Sequence, residues 1–550
     1  MLINQRPSNM LDFLKRFWNK ETSNVTAAAL VIGFASLASR LVGMLRDRLL
    51  ASTFGAGDML DAYYAAFRLP DLFYQLIVLG ALSAGFIPVF AEYLERRGHD
   101  EAWKLAEKVF STILVILVLA CGALALTSSF FVPQTVPGFT GEKLALTVTL
   151  TRILLISTVT LGLSAVMGGV LQATRRFVAF SLAPVLYNIG IIIGIIFLAP
   201  KFGVMGVAWG VAIGAFLHFI VQAVVAVPMG FQRLRWPSFS DPGVRRILTL
   251  MIPRITGLAA SQINLVILLG FASTLESGSV AVFNLANNLQ YVPIGLIGIS
   301  FAVAAFPTFS QLAANKDLEN FKASFLATTR KILFLVIPAT VLMLLLRIQI
   351  IRIVLGSGQF DWSATIRTAD VLSIFVLSLA AQSMIPLLAR AFYALQDTKT
   401  PLYIALVALA VNATLAYFLR QQIGIAGLAV AFTVDSFIQA GLLWLFLRKR
   451  FGHLAGKELG ISISKTILAS IALFGFGWLA RQYVGTIFPL RTFWQVALQA
   501  GAAIVVGGSA FCGLALLLGV QEFSEFIQAA KSKIYKRIKV GEGAEGARGV

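Results

Sequence analysis

Long apolar runs, repeated from end to end of the chain, constrain its fold before any other feature does. A helix needs roughly 20 apolar residues to cross a hydrocarbon core. By that measure candidate spans lie at 25–46, 61–92, 108–132, 146–173, 178–199, 204–229, 247–273, 279–310, 331–355, 368–394, 400–419, 424–447, 461–482 and 494–519, fourteen in all. Hydrophobic residues fill 58% of the 550 positions and charged ones only 13%, too few to cover a water-soluble surface. The runs are continuous, whereas a membrane barrel would show short alternating segments. The expected fold class is therefore an all-α polytopic membrane protein.

The charges sit between the runs, and their placement tests the count. The net charge is +20. With the N-terminus inside, the basic connections "ERRGHDEAWKLAEK", "ATRRF", "FQRLRWPSFSDPGVRR", "NKDLENFKASFLATTRK", "DTKT" and "LRKRFGHLAGK" all fall in the cytoplasm. The opposite connections, "VPQTVPGFTG", "APKFG", "STLESGS" and "LRQQIGIAG", are poor in Lys and Arg. This is the positive-inside pattern, and one span more or fewer would invert every later loop. The basic tail "AAKSKIYKRIKVGEGAEGARGV" then also lies inside, so both termini are expected in the cytoplasm. Basic residues placed this way read as topology signals and contacts with anionic membrane lipids, not as a nucleic-acid surface. The polar start does not have the form of a cleavable signal peptide. Within it "MLDFLKRFW" fits an amphipathic surface helix as well as an unstructured leader.

The sequence repeats itself weakly. "ASTFGAGDMLDAYYAAFRL" (51–69) matches "ASTLESGSVAVFNLANNL" (272–289), and "GFIPVFAEYL" (85–94) matches "AAFPTFSQLA" (304–313), at an offset close to 220 residues. Spans 1–6 and 7–12 thus read as two copies in one orientation, a common transporter plan, with spans 13 and 14 added. The expected organisation is a leader (1–24), an N-lobe (25–229), a basic linker (230–246), a C-lobe (247–447), a basic loop (448–460), two extra spans (461–519) and a basic tail (520–550).

No GxxxxGK[ST] loop, GxSxG elbow or HExxH pair occurs. Cys121 and Cys512 lie inside apolar runs, and the chain has three histidines, which gives no basis for a disulfide framework or a His-based metal site. The expectation is a transporter and not an enzyme, with no cofactor, and with energy drawn from an ion gradient or the membrane potential.

The ionisable residues at membrane depth carry the remaining signal. A charge at mid-span costs roughly 2.5–3.5 kcal/mol on insertion scales, so it usually faces a cavity or a partner. Arg40 lies well inside span 1 beside the small residues Ser36, Ser39 and Gly43, and Arg46 follows on roughly the same side. Arg68 and Asp71 flank Pro70 in span 2, and Arg254 follows Pro253 in span 7. Arg367 and Asp370 stand at the entry of span 10, Arg390 near its end, Asp435 in span 12 and Lys465 in span 13. Arg46, Arg48, Arg367 and Arg481 have the alternative of snorkelling to the interface. Arg68 with Asp71, or Arg367 with Asp370, have that of simple pairing. A guanidinium fork matches phosphate or carboxylate, so an arginine-bearing cavity implies an anionic substrate: a small anion, a lipid phosphate or a lipid-linked sugar.

"SRLVGMLRDRLLASTFGAGDMLDAYYAAFRLPDL" (39–72) resembles the opening signature of the MurJ (MviN) lipid II flippases. "SDPGVRRILTLMIPRITGLAASQINLVI" (240–267), "LESGSVAVF" (275–283) and "ARAFYALQDTKTP" (389–401) extend the resemblance, in family order, over nearly the whole chain. It implies the multidrug/oligosaccharidyl-lipid/polysaccharide exporter fold: two six-helix lobes around a central cavity, plus two C-terminal helices forming a lipid-tail groove. It also implies an activity, transfer of the undecaprenyl-diphosphate-linked peptidoglycan precursor from the inner to the outer leaflet of the bacterial cytoplasmic membrane. Arg40, Arg46 and Asp61 match family positions, and the family's arginines are thought to hold the diphosphate. The chain departs from the pattern in span 2, where Tyr74, Gln75 and Leu79 replace the usual arginines and glutamate, and in span 8, where Asn288 replaces an arginine. Arg254 is the expected substitute charge, with hydrogen bonds to the headgroup from Tyr74, Gln75, Asn287, Asn288 and Gln290, and Arg68 is counted among the substrate-binding residues.

Three other readings compete: a flippase for another polyprenyl-linked glycan, a cation-coupled exporter of small molecules that would use Asp61, Asp370 or Asp435, and a non-transporting scaffold for cell-wall synthesis proteins. Lipid II, membrane lipids and such synthesis proteins are the expected partners.

Overall fold

The computed structural model describes residues 25–79, 85–452, 457–490 and 492–528, and the described residues are helical nearly throughout. The stretch "MLDFLKRFW", most of the basic tail and the centre of the loop after span 12 lie outside them. Among the described residues ten helices are long and apolar enough to cross a membrane, or eleven if the bent pair Trp362–Leu377 and Leu379–Ala394 forms one span. Expected spans 1, 2 and 7 are helical as well, and two of them are polar or broken. Helix α1 (Val25–Phe54) carries Arg40, Arg46, Asp47 and Arg48. Span 2 is divided into α2 (Asp58–Ala66), Arg68–Phe73, a wide turn at Tyr74–Leu79 and Ile87–Arg96. The all-helical class read from the apolar runs is the observed one.

The described chain forms two compact units, one reaching to Asn284 and including Val354–Ala364, the other comprising Leu285–Ile353 and the residues from Thr365 onward. The first unit contains α1, α2, α3 (His99–Thr135), α4 (Gly141–Ala173), α5 (Phe177–Ile193), α6 (Val204–Ala226), α7 (Pro242–Ser273) and the first turn of α8 (Ser279–Pro293). One core cluster joins Phe86 and Phe90 to Trp103 and Phe110 of α3, Met167 and Val170 of α4, and Val244 and Ile247 of α7. Lipid tails are as apolar as leucine, so close packing, not removal from water, holds such helices together. At the α5–α6 contact a Cβ placed on Gly190 would lie 2.2 Å from the Gly214 Cα. Those two backbones touch because neither position has a side chain.

The second unit holds α9 (Leu318–Leu345), α10 (Trp362–Leu377), α11 (Leu379–Ala394), α12 (Lys399–Ile423), α13 (Ile425–Phe451), α14 (Lys457–Ile487) and α15 (Phe493–Leu517). The extra helices α14 and α15 pack on each other and on α9 through Phe334, Leu473 and Phe511. Polar ties reinforce this seam: Arg481 donates to the Leu345 carbonyl at 2.8 Å, and Arg330 pairs with Glu522 at 3.3 Å. Between α14 and α15 runs an apolar groove lined by Phe476, Leu479, Tyr483, Val484 and Val506.

The backbone repeats as the sequence does. Wide π-type turns occur at Tyr74–Leu79 and Ile294–Ile299, starting 220 residues apart (74 against 294). Positive φ recurs at Gly203 and Gly424 (57° and 58°) and at Arg175 and Gln396 (59° and 62°), each pair 221 apart (203 against 424, 175 against 396). Unusual dihedrals at matched positions are stronger marks of a duplication than hydropathy, because any membrane helix is apolar.

Candidate functional site

Within the first unit, the membrane-embedded charges are held in defined partnerships. Arg46 of α1 donates through Nε and Nη2 to one oxygen of Asp47, at 3.0 and 2.7 Å, and through Nη1 to Asn188 Oδ1 of α5 at 2.9 Å. Asn188 in turn donates to the Pro184 carbonyl at 3.0 Å and to Ser39 Oγ at 3.4 Å. The guanidinium is thus oriented by one carboxylate and one amide, and Asp47 offsets its charge. Arg40 is half-buried on the same helix. Six residues at 100° each place Arg40 and Arg46 about 120° apart around α1, so they do not share one side, contrary to the expectation from spacing.

Arg68, at the break after α2, donates from Nη2 to Asn284 of α8. Its Nε is buried without a hydrogen-bond partner. A buried donor left open on a cation is costly, and an anionic group is the natural acceptor for it. No ion pair joins Arg68 to Asp71 among the described residues, and Asp71 is exposed. Both stand on the short helix Arg68–Phe73, and the break from α2 falls upstream at Phe67, in keeping with Pro70's lack of the backbone donor that would bond back to Ala66.

Asp61 is only 1% exposed and fully engaged. Its two oxygens accept from Gly278 N and Ala281 N, both at 2.8 Å, at the start of α8, and from Lys143 Nζ at 2.7 Å. Lys143 also reaches Asp58 at 2.6 Å and lies over the Phe139 ring. A carboxylate at a helix N-terminus satisfies orphan N–H groups and meets the positive end of the helix dipole. The geometry makes Asp61 a cap for α8 supplied by α2. The turn it meets needs Gly278, whose φ is 84° and whose Cα abuts the Ala56 carbonyl.

Tyr74 and Gln75 fall in the first wide turn and are half-buried, with Tyr74 packed against the core cluster of Phe86 and Phe90. Arg254 lies on α7, and its side chain is outside the described ones. In the second unit, Asn287 accepts from Gln290 at 3.0 Å, and Asn288 is exposed. The structure brings together Arg46 with Asn188 and Arg68 with Asn284, two amides that sequence reasoning missed, and joins Asp61 to the equally unforeseen Lys143. Polar residues inside apolar runs were the only available signal, and nothing in the sequence singled out these two amides among them. In the second unit Asp435 of α13 is buried, with Oδ1 unpaired.

A family model described as "Lipid II flippase MurJ" matches residues 50–494. A probable lipid II flippase MurJ of Rhizobium tropici is 32% identical over 502 residues, covering 89% of this chain and 91% of that one. The lipid II flippase MurJ of Burkholderia cenocepacia is 30% identical over 520 residues, covering 92% and 100%. Among solved structures, a lipid II flippase MurJ in an inward closed conformation aligns with a TM-score of 0.75 at 23% identity, covering 90% of this chain and all of that one. An inward-facing MATE-family multidrug transporter of the MOP superfamily aligns at 0.65 and 18% identity, covering 75% and 94%. The chain is thus a multi-pass membrane protein of bacteria, and it belongs to the lipid II flippase MurJ family.

Proposed function

We infer that this chain carries lipid II, the polyprenyl-diphosphate-linked precursor of peptidoglycan, from the inner to the outer leaflet by alternating access. Its family membership supports the substrate. The observation on the page that carries the reading is the buried Nε donor of Arg68, open beside a helix break in a membrane unit. Arg46, oriented by Asn188, is the second diphosphate contact, and Arg40 the third. Tyr74 and Gln75 contribute hydrogen bonds to the headgroup, and Arg254 a further charge. Asp61 acts from behind, by holding α8. The tail, too long to be enclosed, follows the apolar groove between α14 and α15. Transport is driven by an ion gradient or the membrane potential, with the buried Asp435 as the coupling group.

The test uses cells depleted of their own lipid II flippase and supplied with this protein. Lipid II exposed on the outer leaflet is measured with an externally added cleaving toxin. Wild type restores exposure, Arg68→Ala and Arg40→Ala do not, and Arg68→Lys retains part, because a point charge replaces a fork. Asp435→Asn weakens the response of exposure to collapse of the gradient. Full exposure with both alanine variants present in the membrane would refute the assignment of the arginines.

A further inference from the structure

The segment between α6 and α7 is an extended strap fastened to α3. Glu107 of α3, 3% exposed, accepts from Gln232 N at 2.7 Å, Arg233 N at 3.0 Å and Arg235 Nε at 2.7 Å. Farther along the helix Thr112 Oγ1 accepts from Ser238 N at 3.2 Å, and Lys108 holds Asp241 at 2.6 Å. With its backbone fixed on one side, the strap turns its large side chains away from the protein. Leu234 is 64% exposed, Trp236 91% and Phe239 54%. Arg233 and Arg245, before and after these side chains in the sequence, are exposed.

The depth of the strap follows from α3. Beyond Thr112 that helix has no charged residue from Ile113 to Val132. At 1.5 Å per residue that stretch is about 30 Å long, the thickness of a hydrocarbon core. Between the Glu107 and Thr112 contacts the strap descends about 7 Å along the helix, which brings Trp236 to Phe239 to the edge of the hydrocarbon. The positive-inside pattern assigns this edge to the cytoplasmic leaflet. An indole belongs at such an edge, where its ring enters the acyl boundary and its N–H stays wet. The flanking guanidinium groups are complementary to the negative surface of that leaflet.

We propose that residues 231–245 form a membrane-surface anchor that inserts Leu234, Trp236 and Phe239 into the inner leaflet and selects anionic lipid headgroups through Arg233 and Arg245. Depth and charge favour a lipid surface over a protein partner. Glu107 acts as the positioning residue, since it fixes the backbone from which the anchor projects.

The experiment uses the full chain in vesicles of phosphatidylcholine with phosphatidylglycerol. Subtracting the emission of Trp236→Phe, or of Trp236→Tyr, from that of wild type isolates one of the eight tryptophans. Lipids brominated near the headgroup end of their chains should remove most of that difference signal, and aqueous iodide little of it. Brominated phosphatidylglycerol should quench more than brominated phosphatidylcholine at equal mole fraction. In Arg233→Gln/Arg245→Gln that preference should disappear while quenching persists. A difference signal open to iodide and untouched by bromine would overturn the anchor and favour water or a protein partner. Equal quenching by the two lipids in wild type would overturn the headgroup selection.

Discussion

Asp61 shows how a residue matched by family resemblance acquires a physical role only in the fold. Its position in "GAGDMLDA" was readable, but its partners are 82 and more residues away, at Lys143, Gly278 and Ala281. No local spacing could have supplied them. Arg46 is similar: its neighbour Asp47 was visible in the sequence, and Asn188 was not distinguishable from any other polar residue in an apolar span. Removing Asp61 strands two backbone donors and an ammonium, so Asp61→Ala should cost about 3–5 kcal/mol, the range for breaking a buried pair. Lys143→Met leaves the backbone bonds in place and should cost less, about 1.5–3 kcal/mol. The double variant Asp61→Ala/Lys143→Met should fall short of additivity by at least about 0.5 kcal/mol. Denaturation midpoints in one detergent measure all of these, and strict additivity would mean that the 2.7 Å contact does not couple the two side chains.

At the scale of elements, the apolar runs were legible because spans are set by bilayer thickness, and the breaks were not, because breaks depend on backbone geometry. The wide turn at Tyr74–Leu79 lies in a run that reads as continuous helix. The α5–α6 contact was hidden for a related reason: glycines look alike in sequence whether they touch another backbone or open space. Gly214 would place a Cβ 2.3 Å from the Tyr187 carbonyl, whereas Gly508 would meet nothing within 4 Å. Gly214→Ala should therefore destabilise by about 1–3 kcal/mol through overpacking. Gly508→Ala should be neutral or stabilising by up to about 1 kcal/mol, the helix-propensity gain. Equal melting shifts would refute the backbone contact. The N-cap of α7 gives an element a pH response. Asp241 accepts from Gly243 N and Val244 N and meets Lys108. Burial pushes its carboxyl up, but Lys108 and the two amides together hold it below the ordinary carboxylate range. A depressed carboxyl stabilises the fold above its unfolded value, near pH 4, and that contribution fades as pH falls further. Melting temperature should drop between about pH 5 and pH 3, and Asp241→Asn should flatten the drop.

For the whole molecule, charge placement and fold make a joint claim about topology. The sequence arranges basic loops on alternate sides of an even number of spans. The helices found at each expected span leave that alternation intact. Orientation is then a single binary choice for the whole chain, because inverting it would move every basic loop to the outer face. In a background with Cys121 and Cys512 changed to Ser, single cysteines at Glu142, Lys201 or Glu276 should react with a membrane-impermeant maleimide in intact cells. Cysteines at Glu101, Glu319 or Thr398 should react only after permeabilisation. All six positions are exposed, so reactivity reports sidedness and not burial. The reverse pattern would place the strap of residues 231–245 on the outer leaflet and take away the anionic surface its arginines are proposed to meet. A mixed pattern would mean that one span is miscounted, and the loop at which reactivity changes sides would identify which one.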